Sequence, residues 1–504
     1  MGEYLLGVDN GGTIIKAALF DLAGNEIAVA VRQTEMLFPR PGFTERNLDE
    51  FWRANTDAIS EVVHKSAIRP EEIKAAATTG YGNGITFVGH DGKPLYNGII
   101  STDARAKDYV LKWYSDGTFE KVNKMTLSAI WAGQPLPLMA WFRDNMPDVL
   151  EKAKYVFSIK DYLRYLLTGE AFAEITDLSG TNAVNVHTGK IDSNIFKCFG
   201  LEQYVKLYPP VKNSAEICGC ITGEATELTG LKAGTPVAGG LFDIHACCIS
   251  SGTIDSSKLC LIAGTWSIDE FLSRQLIETD DINITSISCI PGYYLISEAS
   301  PTSASNLDWF IKTLMQKDKE EAKLKNESVY KYIDQAVASV NAEDNIPVFL
   351  PFLFSSNGGK HAKSCFMGLE SWHRREHLLK AVFEGVVFSS QYHVERLLRF
   401  RDKPAVARMA GGPTKSQVWM QMFVDSLQIP VEITAGNELG ALGAAICAGV
   451  AAGLFASFEE AVNSMVKVSK VYYPKPEAAE IYKAKYMQYK KAMDLAEIFG
   501  QTAK

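Results

Sequence analysis

The chain opens with a pattern of apolar and polar positions typical of a β-hairpin. Apolar runs over Tyr4 to Val8 and Ile14 to Phe20 flank an Asn-Gly-Gly turn at residues 10–12, and turn residues between two strand-like runs are a strong local hairpin signal. Glu26 to Val31 alternates in the same way after a second turn. We therefore expect an antiparallel meander of three strands.

Other segments carry the 3.6-residue period of amphipathic helices. The clearest are Leu48 to Lys65 and Arg375 to Phe400. The segment from Tyr155 to Thr168 also reads as a helix, and the Gly that follows it is a C-terminal signal. The polar run from Thr176 to Thr181 predicts an ordered loop between elements.

One stretch, Leu439 to Phe458, has no charged residue over twenty positions. It consists mostly of Ala and Gly, which contribute little transfer free energy to a membrane compared with Leu or Ile. The pattern therefore favours a helix buried between protein layers over a membrane span.

The opening pattern recurs later in the chain. Lys258 to Leu272 again reads as strand, glycine turn and strand, and Tyr293 to Glu298 supplies a third strand. Such internal similarity indicates two domains with related cores. We place the boundary near residues 248–258 and expect domains at 1–250 and 251–504.

Length and composition agree with this division and exclude some functions. A chain of 504 residues is too long for one core. Its net charge of −8 leaves no basic footprint for DNA or RNA. The first residues lack the features of a secretory signal, and the nine cysteines lack zinc-ligand spacing. We expect reduced thiols and a cytoplasmic protein.

The first hairpin tip holds residues suited to nucleotide phosphates. Gly11 and Gly12 allow close approach of the backbone to an anion, the Thr13 hydroxyl and backbone N–H groups can donate to phosphate oxygens, and Asp9 can hold a hydrated Mg²⁺. The alternative is an ordinary hairpin turn. Two further glycine turns, Gly264-Thr265 and Gly411-Gly412, allow three turns to clamp one nucleotide between two domains.

A candidate general base follows a glycine-rich strand end. Asp243 comes after Gly239-Gly240 and begins a helix of small apolar residues. The N-terminus of a helix favours a negative charge, so we expect the carboxylate to be ionised, as a general base must be. The alternative is that Asp243 is only the N-cap of that helix.

Candidate sugar-binding groups follow two other strands. A buried strand from Lys74 to Thr79 ends in the turn Gly80 to Gly84, and Asp103 and Arg105 follow a second apolar strand. Polar groups at the carboxyl ends of strands are where α/β proteins bind ligands. For Asp103 and Arg105 the alternative is a surface ion pair.

Two long motifs, taken with these turns, resemble one family. Ser364 to Leu369 with His377 to Glu384 fits one signature of the FGGY carbohydrate kinases at every position. The other signature spans Gly133 to Asn145 and fits except that Leu138 stands where the family usually has Lys. The Walker, protein-kinase and Rossmann patterns are absent.

The resemblance covers nearly the whole chain and implies a fold and a reaction. The fold is α/β, with two ribonuclease-H-like domains of the actin-like ATPase type around an interdomain cleft. The substrates are a small sugar or polyol and ATP with Mg²⁺, with no nucleic acid or membrane partner, and we expect a homodimer. The residues that the resemblance assigns are Asp9 for the metal; Gly11, Gly12, Thr13, Gly264, Thr265, Gly411, Gly412 and Ser416 for ATP; Gly82, Asn83, Asp103 and Asp243 for the sugar; and Asp243 for catalysis.

The turn from Gly80 to Gly84, called the sugar turn below, narrows the range of candidate substrates. Where xylulokinases usually carry Gln-Met-His and glycerol kinases Gln-Arg-Glu, this chain has Tyr81-Gly82-Asn83. This form is more similar to the L-xylulose and 3-keto-L-gulonate kinase branch, and we expect Gly82 and Gly84 to leave room for a small ketose. D-xylulose, ribulose and erythritol remain alternatives.

Two further alternatives lie outside sugar phosphorylation. A non-catalytic regulator on the same fold is disfavoured because Asp9 and Asp243 are present and no DNA-binding segment precedes the first strand. An actin-like filament or chaperone ATPase would hydrolyse ATP without any sugar.

Overall fold

The computed structural model describes residues 2–264, 266–354, 356 and 361–502. They divide into two compact units. Unit 1 comprises Met1–Ser256, Leu272–Ile296 and Ala435–Lys467, and unit 2 comprises Ser257–Phe271, Ser297–Thr434 and Val468–Lys504.

The strands are β1 Tyr4–Asn10, β2 Ile14–Asp21, β3 Glu26–Gln33, β4 Glu45–Arg46, β5 Ile73–Gly80, β6 Thr86–Gly89, β7 Gly98–Ile99, β8 Ala153–Phe157, β9 Ala173–Glu174, β10 Val184–Asn185, β11 Lys190–Ile191, β12 Val211–Lys212, β13 Ile217–Cys220, β14 Pro236–Ala238, β15 Leu241–Phe242, β16 Lys258–Ala263, β17 Ser267–Ser273, β18 Ile284–Ile287, β19 Tyr294–Ser300, β20 Val348–Leu350, β21 Cys365–Met367, β22 Val406–Gly411, β23 Val431–Thr434 and β24 Val468–Tyr472.

The α-helices are α1 Leu48–Ser66, α2 Lys107–Ser115, α3 Thr118–Thr126, α4 Pro135–Asn145, α5 Pro147–Lys152, α6 Ile159–Thr168, α7 Ile175–Gly180, α8 Ser193–Cys198, α9 Gly223–Thr229, α10 Asp243–Ser250, α11 Ser305–Leu314, α12 Gln316–Leu324, α13 Val329–Ala338, α14 Arg375–Leu397, α15 Gln417–Leu427, α16 Leu439–Ala451, α17 Phe458–Met465 and α18 Ala479–Thr502.

The main sheet of unit 1 contains the expected meander. Its strand order is β13-β14-β5-β1-β2-β3, with β15 also paired to β5. β1 is antiparallel to β2 and parallel to β5. Side chains alternate across β1, so Leu6 packs in the core under α1 while Leu5 packs in the core under α16. The sheet is therefore covered on both faces.

The Ala- and Gly-rich stretch forms α16, which packs against β1 and β5 as the sequence led us to expect. Its approach to β1 is so close that a Cβ on Gly7 would overlap the carbonyl oxygen of Ala441. Within the part of the chain that the structure describes, no helix has both the length and the apolar character needed to cross a membrane.

Unit 2 repeats the strand pattern that begins unit 1. In its sheet, β17, β16, β22, β23 and β24 lie in that order. β16 is antiparallel to β17 and parallel to β22, as β1 is to β2 and β5. The internal repeat predicted from the sequence is thus confirmed at the level of strand topology.

Two local predictions were wrong. Residues 153–157 form the strand β8, paired with β6, and the helix α6 begins only after Ser158, whose hydroxyl caps it. Residues 175–180 form the short helix α7 where a loop was expected. Its polar residues have low helix propensity, but the buried Glu174 carboxylate accepts from the N–H groups of Thr176 and Asp177 and stabilises the first turn.

Candidate active site

Three parallel strands end side by side in unit 1. The register pairs Asn10 with Gly80, and Gly80 with Phe242. The residue after each strand, which is Gly11, Tyr81 or Asp243, therefore lies at one edge of the sheet. This is the edge at which open α/β sheets bind ligands.

Two threonines fix the backbone that leads into Asp243. The Thr79 hydroxyl donates to the carbonyl of Leu241 at 2.8 Å, and the N–H of Phe242 donates to the Thr176 hydroxyl oxygen at 3.0 Å. Asp243 is then the first residue of α10, and the cap position belongs to Phe242. Asp243 is therefore not the N-cap, which was the alternative for this residue.

The charge state of Asp243 differs from the sequence expectation. Burial, followed by the negative charges of Asp9 and Asp177, raises the pKa of Asp243 well above its usual range. The helix N-terminus does not offset these effects. The carboxyl thus has a high proton affinity, which suits a group that must accept a proton from a hydroxyl.

Asp9 lies against the first turn of α16. A Cβ on Gly440 would overlap the Asp9 carboxylate, so a glycine is needed for this approach. Burial raises the pKa of Asp9 to about 6, opposed by Lys16, and Lys16 in turn lies 2.7 Å from Glu438. Among the described residues no three metal-ligating side chains converge. A single carboxylate fits Mg²⁺, which is commonly held by one or two carboxylates together with substrate phosphates.

The tip of the first hairpin offers free backbone donors. The N–H of Gly11 donates to Ile14 at 2.9 Å, whereas the N–H groups of Gly12 and Thr13 donate to nothing in the described ranges. The space beside Gly12 is open to 4 Å. The geometry is that of a turn able to accept an anion.

The glycines of the sugar turn do not leave the room that the sequence suggested. A Cβ on Gly82 would overlap the ring of Phe242, and one on Gly84 would overlap the carbonyl oxygen of Ile99. Close packing, not an open pocket, requires glycine at these two positions.

Unpartnered polar atoms gather at this end of unit 1 instead. Among the buried atoms of the described chain that have no hydrogen-bond partner are Asn10 Oδ1, the Tyr81 hydroxyl, Asn83 Oδ1 and Asp177 Oδ2. Buried polar groups are normally paired, so such a set calls for a ligand or water. Of these four residues, only Asn83 was among the sugar ligands predicted from the sequence, and Asn10 was missed.

Asp103 is engaged by the protein itself. Its Oδ1 accepts from the backbone and Nε of Arg105, both at 2.9 Å, and its Oδ2 accepts from Thr44 and from Arg105. Arg105 also binds Glu45 at 2.7 Å. All four acceptor positions of Asp103 are used. The pair is a buried ion pair, so the alternative of a surface ion pair is wrong. Binding of the sugar by Asp103 stays a prediction.

A buried ionic cluster supports the same region. Lys160 Nζ lies 2.8 Å from Asp161, 3.1 Å from Glu174 and 4.0 Å from Asp177. The Glu174 carboxylate also accepts from the Thr176 hydroxyl at 2.6 Å, which links the cluster to the backbone before Asp243. Burial raises the pKa of Asp177 to about 7, although Lys160 lowers it.

The glycine turns of unit 2 also converge. Ala263 pairs with Gly411, so Gly264 and Gly412 follow neighbouring strand ends. A Cβ on Gly411 would overlap the Ala263 carbonyl. Ser416 caps α15 and donates to Asp334 at 2.7 Å. Gly412 and Ser416 line a cavity of about 650 Å³ beside Trp419. Thr265, predicted as a phosphate ligand, lies outside the described residues.

Comparison with known families agrees with this architecture. The model of the N-terminal domain of FGGY carbohydrate kinases matches residues 4–250, and that of the C-terminal domain matches residues 259–452. The L-xylulose/3-keto-L-gulonate kinase of Escherichia coli (strain K12) is 35% identical over 97% of this chain and 96% of its own length. The chain belongs to the FGGY family of carbohydrate kinases.

Other FGGY proteins extend the comparison. A probable L-xylulose kinase of Pasteurella multocida (strain Pm70) is 34% identical, over 97% of this chain and 98% of its own length. The crystal structure of xylulose kinase from Rhodospirillum rubrum superposes with a TM-score of 0.87 at 24% identity, covering 99% of this chain and all of that one. Gluconate kinase from Lactobacillus acidophilus gives 0.90 at 21% identity, with full coverage of both. At these identities the structures establish the fold alone.

The family confirms the enzyme class expected from the sequence. This FGGY kinase is an ATP-dependent sugar kinase with a two-domain α/β fold of the actin-like ATPase type. The resemblance to the L-xylulose and 3-keto-L-gulonate branch, inferred from the Tyr81-Gly82-Asn83 turn, agrees with the names of these relatives.

Proposed function

We propose that this kinase transfers the γ-phosphoryl group of ATP to a primary hydroxyl of a small ketose, with L-xylulose or 3-keto-L-gulonate as its substrate. The observation that carries the proposal is the edge of unit 1 where Asp243 follows β15 and buried polar atoms of Asn10, Tyr81, Asn83 and Asp177 lack partners. Such atoms suit a polyhydroxylated ligand. The two L-xylulose kinase relatives support this choice of sugar.

In this proposal Asp243 is the general base. Its carboxylate accepts the proton of the sugar hydroxyl as the hydroxyl oxygen attacks the γ-phosphorus and the bond to the β-phosphate oxygen breaks. The high proton affinity of Asp243 favours this transfer. The hydrogen bonds to Leu241 and Phe242 hold the base in place, and positioning is most of what phosphoryl transfer requires of a protein.

We assign the nucleotide to the three glycine turns. Gly11, Gly12 and Thr13, together with Gly264 and Thr265, would bind phosphate oxygens, and Gly411, Gly412 and Ser416 would bind adenosine. Asp9 would hold Mg²⁺, which neutralises phosphate charge when bound. Residues 1–250 would then carry the sugar and the base, and residues 251–504 the nucleotide.

Two wider assignments follow from this function. All nine cysteines lie in the described ranges and form no disulfide there, and use of ATP on a free sugar suits the reducing cytoplasm. A homodimer stays a prediction, for which light scattering of the purified protein is the measurement.

A sugar screen tests the substrate. L-xylulose, 3-keto-L-gulonate, L-ribulose, D-xylulose, D-ribulose, erythritol and glycerol are compared at equal concentration with Mg·ATP, with ADP formation measured by a coupled assay. A site that hydrogen-bonds hydroxyls rejects an epimer strongly because its own buried groups are left unpaired. We expect one of the first two sugars to give the highest kcat/KM.

The other outcomes are informative. If glycerol or D-xylulose gives the highest kcat/KM, the proposed substrate is wrong and the kinase assignment stands. If no sugar raises ADP formation above the sugar-free rate, the proposed sugar phosphorylation is wrong.

A further inference from the structure

Arg46 differs from the other fully buried arginines of unit 1. Arg105 and Arg164 each pair with carboxylates, at 2.7 Å from Glu45 and 2.7 Å from Asp161 respectively. Arg46 is 0% exposed, yet no carboxylate among the described residues lies within 4.0 Å of its guanidinium. A buried cation without a counter-ion is costly, so its position requires a reason.

The contacts of Arg46 lead to the first hairpin tip. One terminal nitrogen donates to the carbonyl oxygens of both Gly11 and Gly12, and to the Thr34 hydroxyl oxygen at 3.0 Å. The guanidinium lies 5.4 Å from the centre of the Phe51 ring and 5.5 Å from that of Tyr81. Backbone dipoles and ring faces therefore replace a carboxylate as its partners.

The two carbonyls that Arg46 binds determine where two amides point. A trans peptide holds its C=O and N–H on opposite sides, and the described chain has no cis peptide bond. The carbonyl of Gly11 shares a peptide with the N–H of Gly12, and the carbonyl of Gly12 shares one with the N–H of Thr13. With both carbonyls turned toward Arg46, both N–H groups face away from it.

Those two amides are the free donors of the tip. Neither N–H has an acceptor within the described structure, and the space beside Gly12 is open. Two successive N–H groups without acceptors in an open turn form an anion site. The positive charge of Arg46 on the far side of the same peptides polarises them in the direction that favours an anion.

We propose that Arg46 is a positioning residue that aims the Gly12 and Thr13 amides at the phosphates of ATP. The inference rests on the proposed function, in which this tip binds phosphate. Arg46 itself need not touch the nucleotide, because its effect passes through the two peptide groups. Arg46 thus stabilises the first hairpin tip, and contributes its charge, from the side opposite the phosphates.

The test separates phosphate binding from adenosine binding. Arg46→Met keeps the volume and removes every donor, and Arg46→Lys keeps the charge and loses the fork. Affinities for Mg·ATP and for adenosine are measured by calorimetry, and kcat and both KM values by coupled assay. We expect Arg46→Met to weaken Mg·ATP binding on the order of tenfold or more. Adenosine affinity and KM for the sugar should stay within about twofold of wild type.

A matched control accounts for loss of core packing. Val62→Ala truncates a buried side chain on α1, about three helical turns after Phe51, the residue of this helix against which Arg46 packs. It should lower Tm without changing the ratio of ATP to adenosine affinity. If Arg46→Met does not fold, Arg46→Lys decides, with an intermediate loss of ATP affinity expected and unchanged adenosine affinity.

The experiments can contradict the positioning role of Arg46 and the proposed function separately. Suppose that the wild-type enzyme phosphorylates a sugar. If Arg46→Met, or Arg46→Lys in its place, lowers the affinities for ATP and adenosine equally, or lowers neither affinity, the positioning role is wrong and the proposed function stands. If the wild-type enzyme forms no ADP with any sugar, the proposed function is wrong whatever the Arg46 variants do.

Discussion

At the residue scale, Asp243 tests the chemistry most directly. Asp243→Asn keeps the shape of the side chain but cannot accept a proton. We expect kcat to fall by about 10² or more, the effect of a placed general base, while ATP affinity stays close to wild type. Coupled ADP release and calorimetry measure the two quantities. A variant that keeps more than about a tenth of the wild-type rate would show that another group is the base.

The pH profile of the wild-type enzyme gives an independent check on the same residue. Burial and the charges of Asp9 and Asp177 raise the pKa of Asp243 well above 3.8. The base form is therefore lost as the pH falls through this raised value. We expect kcat/KM for the sugar to decline on acidification with a midpoint well above pH 4. A profile that is flat down to pH 4 would contradict the raised pKa.

Some residue assignments were accessible from the sequence because the signal is local. Asp9 with its glycine turn, and Asp243 after Gly239-Gly240, stand out within a few positions of chain. The part played by Arg46 was not accessible, since its acceptors are backbone carbonyls 34 and 35 residues away in sequence. Hydrogen bonds to the backbone carbonyls of distant residues produce no sequence motif.

At the scale of elements, periodicity located the long helices and missed short elements set by single polar contacts. α1 and α14 lie close to their expected bounds. The helix expected over 155–168 begins only at Ile159, because Ser158 caps it and the preceding residues pair with β6. Helix α7 exists because a buried Glu174 caps it. Burial of that carboxylate depends on residues that are distant in sequence, so no local sequence pattern predicts it.

The ionic cluster beneath α7 gives a prediction about element stability. Lys160→Met should lower Tm by roughly 5 °C or more, since Asp161 and Glu174 would be left buried without their shared cation. The matched control is Lys152→Met, whose partner Asp148 is 3.4 Å away in a pair that is 68% and 76% exposed. Differential scanning fluorimetry compares the two variants. Similar small shifts for both would mean that the cluster contributes little to stability.

At the scale of the whole molecule, the repeat in the sequence identified two related sheets but not which segments cover them. Helix α16 follows β23 of unit 2 along the chain, yet it packs on β1 and β5 of unit 1. Its Ala and Gly content permits that approach, as Gly440 beside Asp9 shows. Composition indicated a buried helix, and only the three-dimensional structure shows which strands it meets.

The stability of the molecule should also depend on pH through its buried carboxyls. Burial raises the pKa of Asp177 from 3.8 to about 7. Between these values the folded state binds the proton more tightly than the unfolded state, so ionisation of Asp177 costs stability as the pH rises. The cost is absent near pH 4 and complete above about pH 8.

Asp177→Asn removes this cost without changing the side-chain shape, and Lys160 keeps Asp161 and Glu174 as partners. We expect the variant to have a higher Tm than wild type at pH 8, and a difference that shrinks as the pH falls and is close to zero near pH 4. With about 1.4 kcal/mol for each tenfold change in proton affinity, the gain at pH 8 is on the order of 4 kcal/mol. Asp148→Asn, at an exposed site, should show no such trend. A difference for Asp177→Asn that is the same at both pH values, or reversed, would mean that Asp177 is stably ionised by Lys160 in the folded protein.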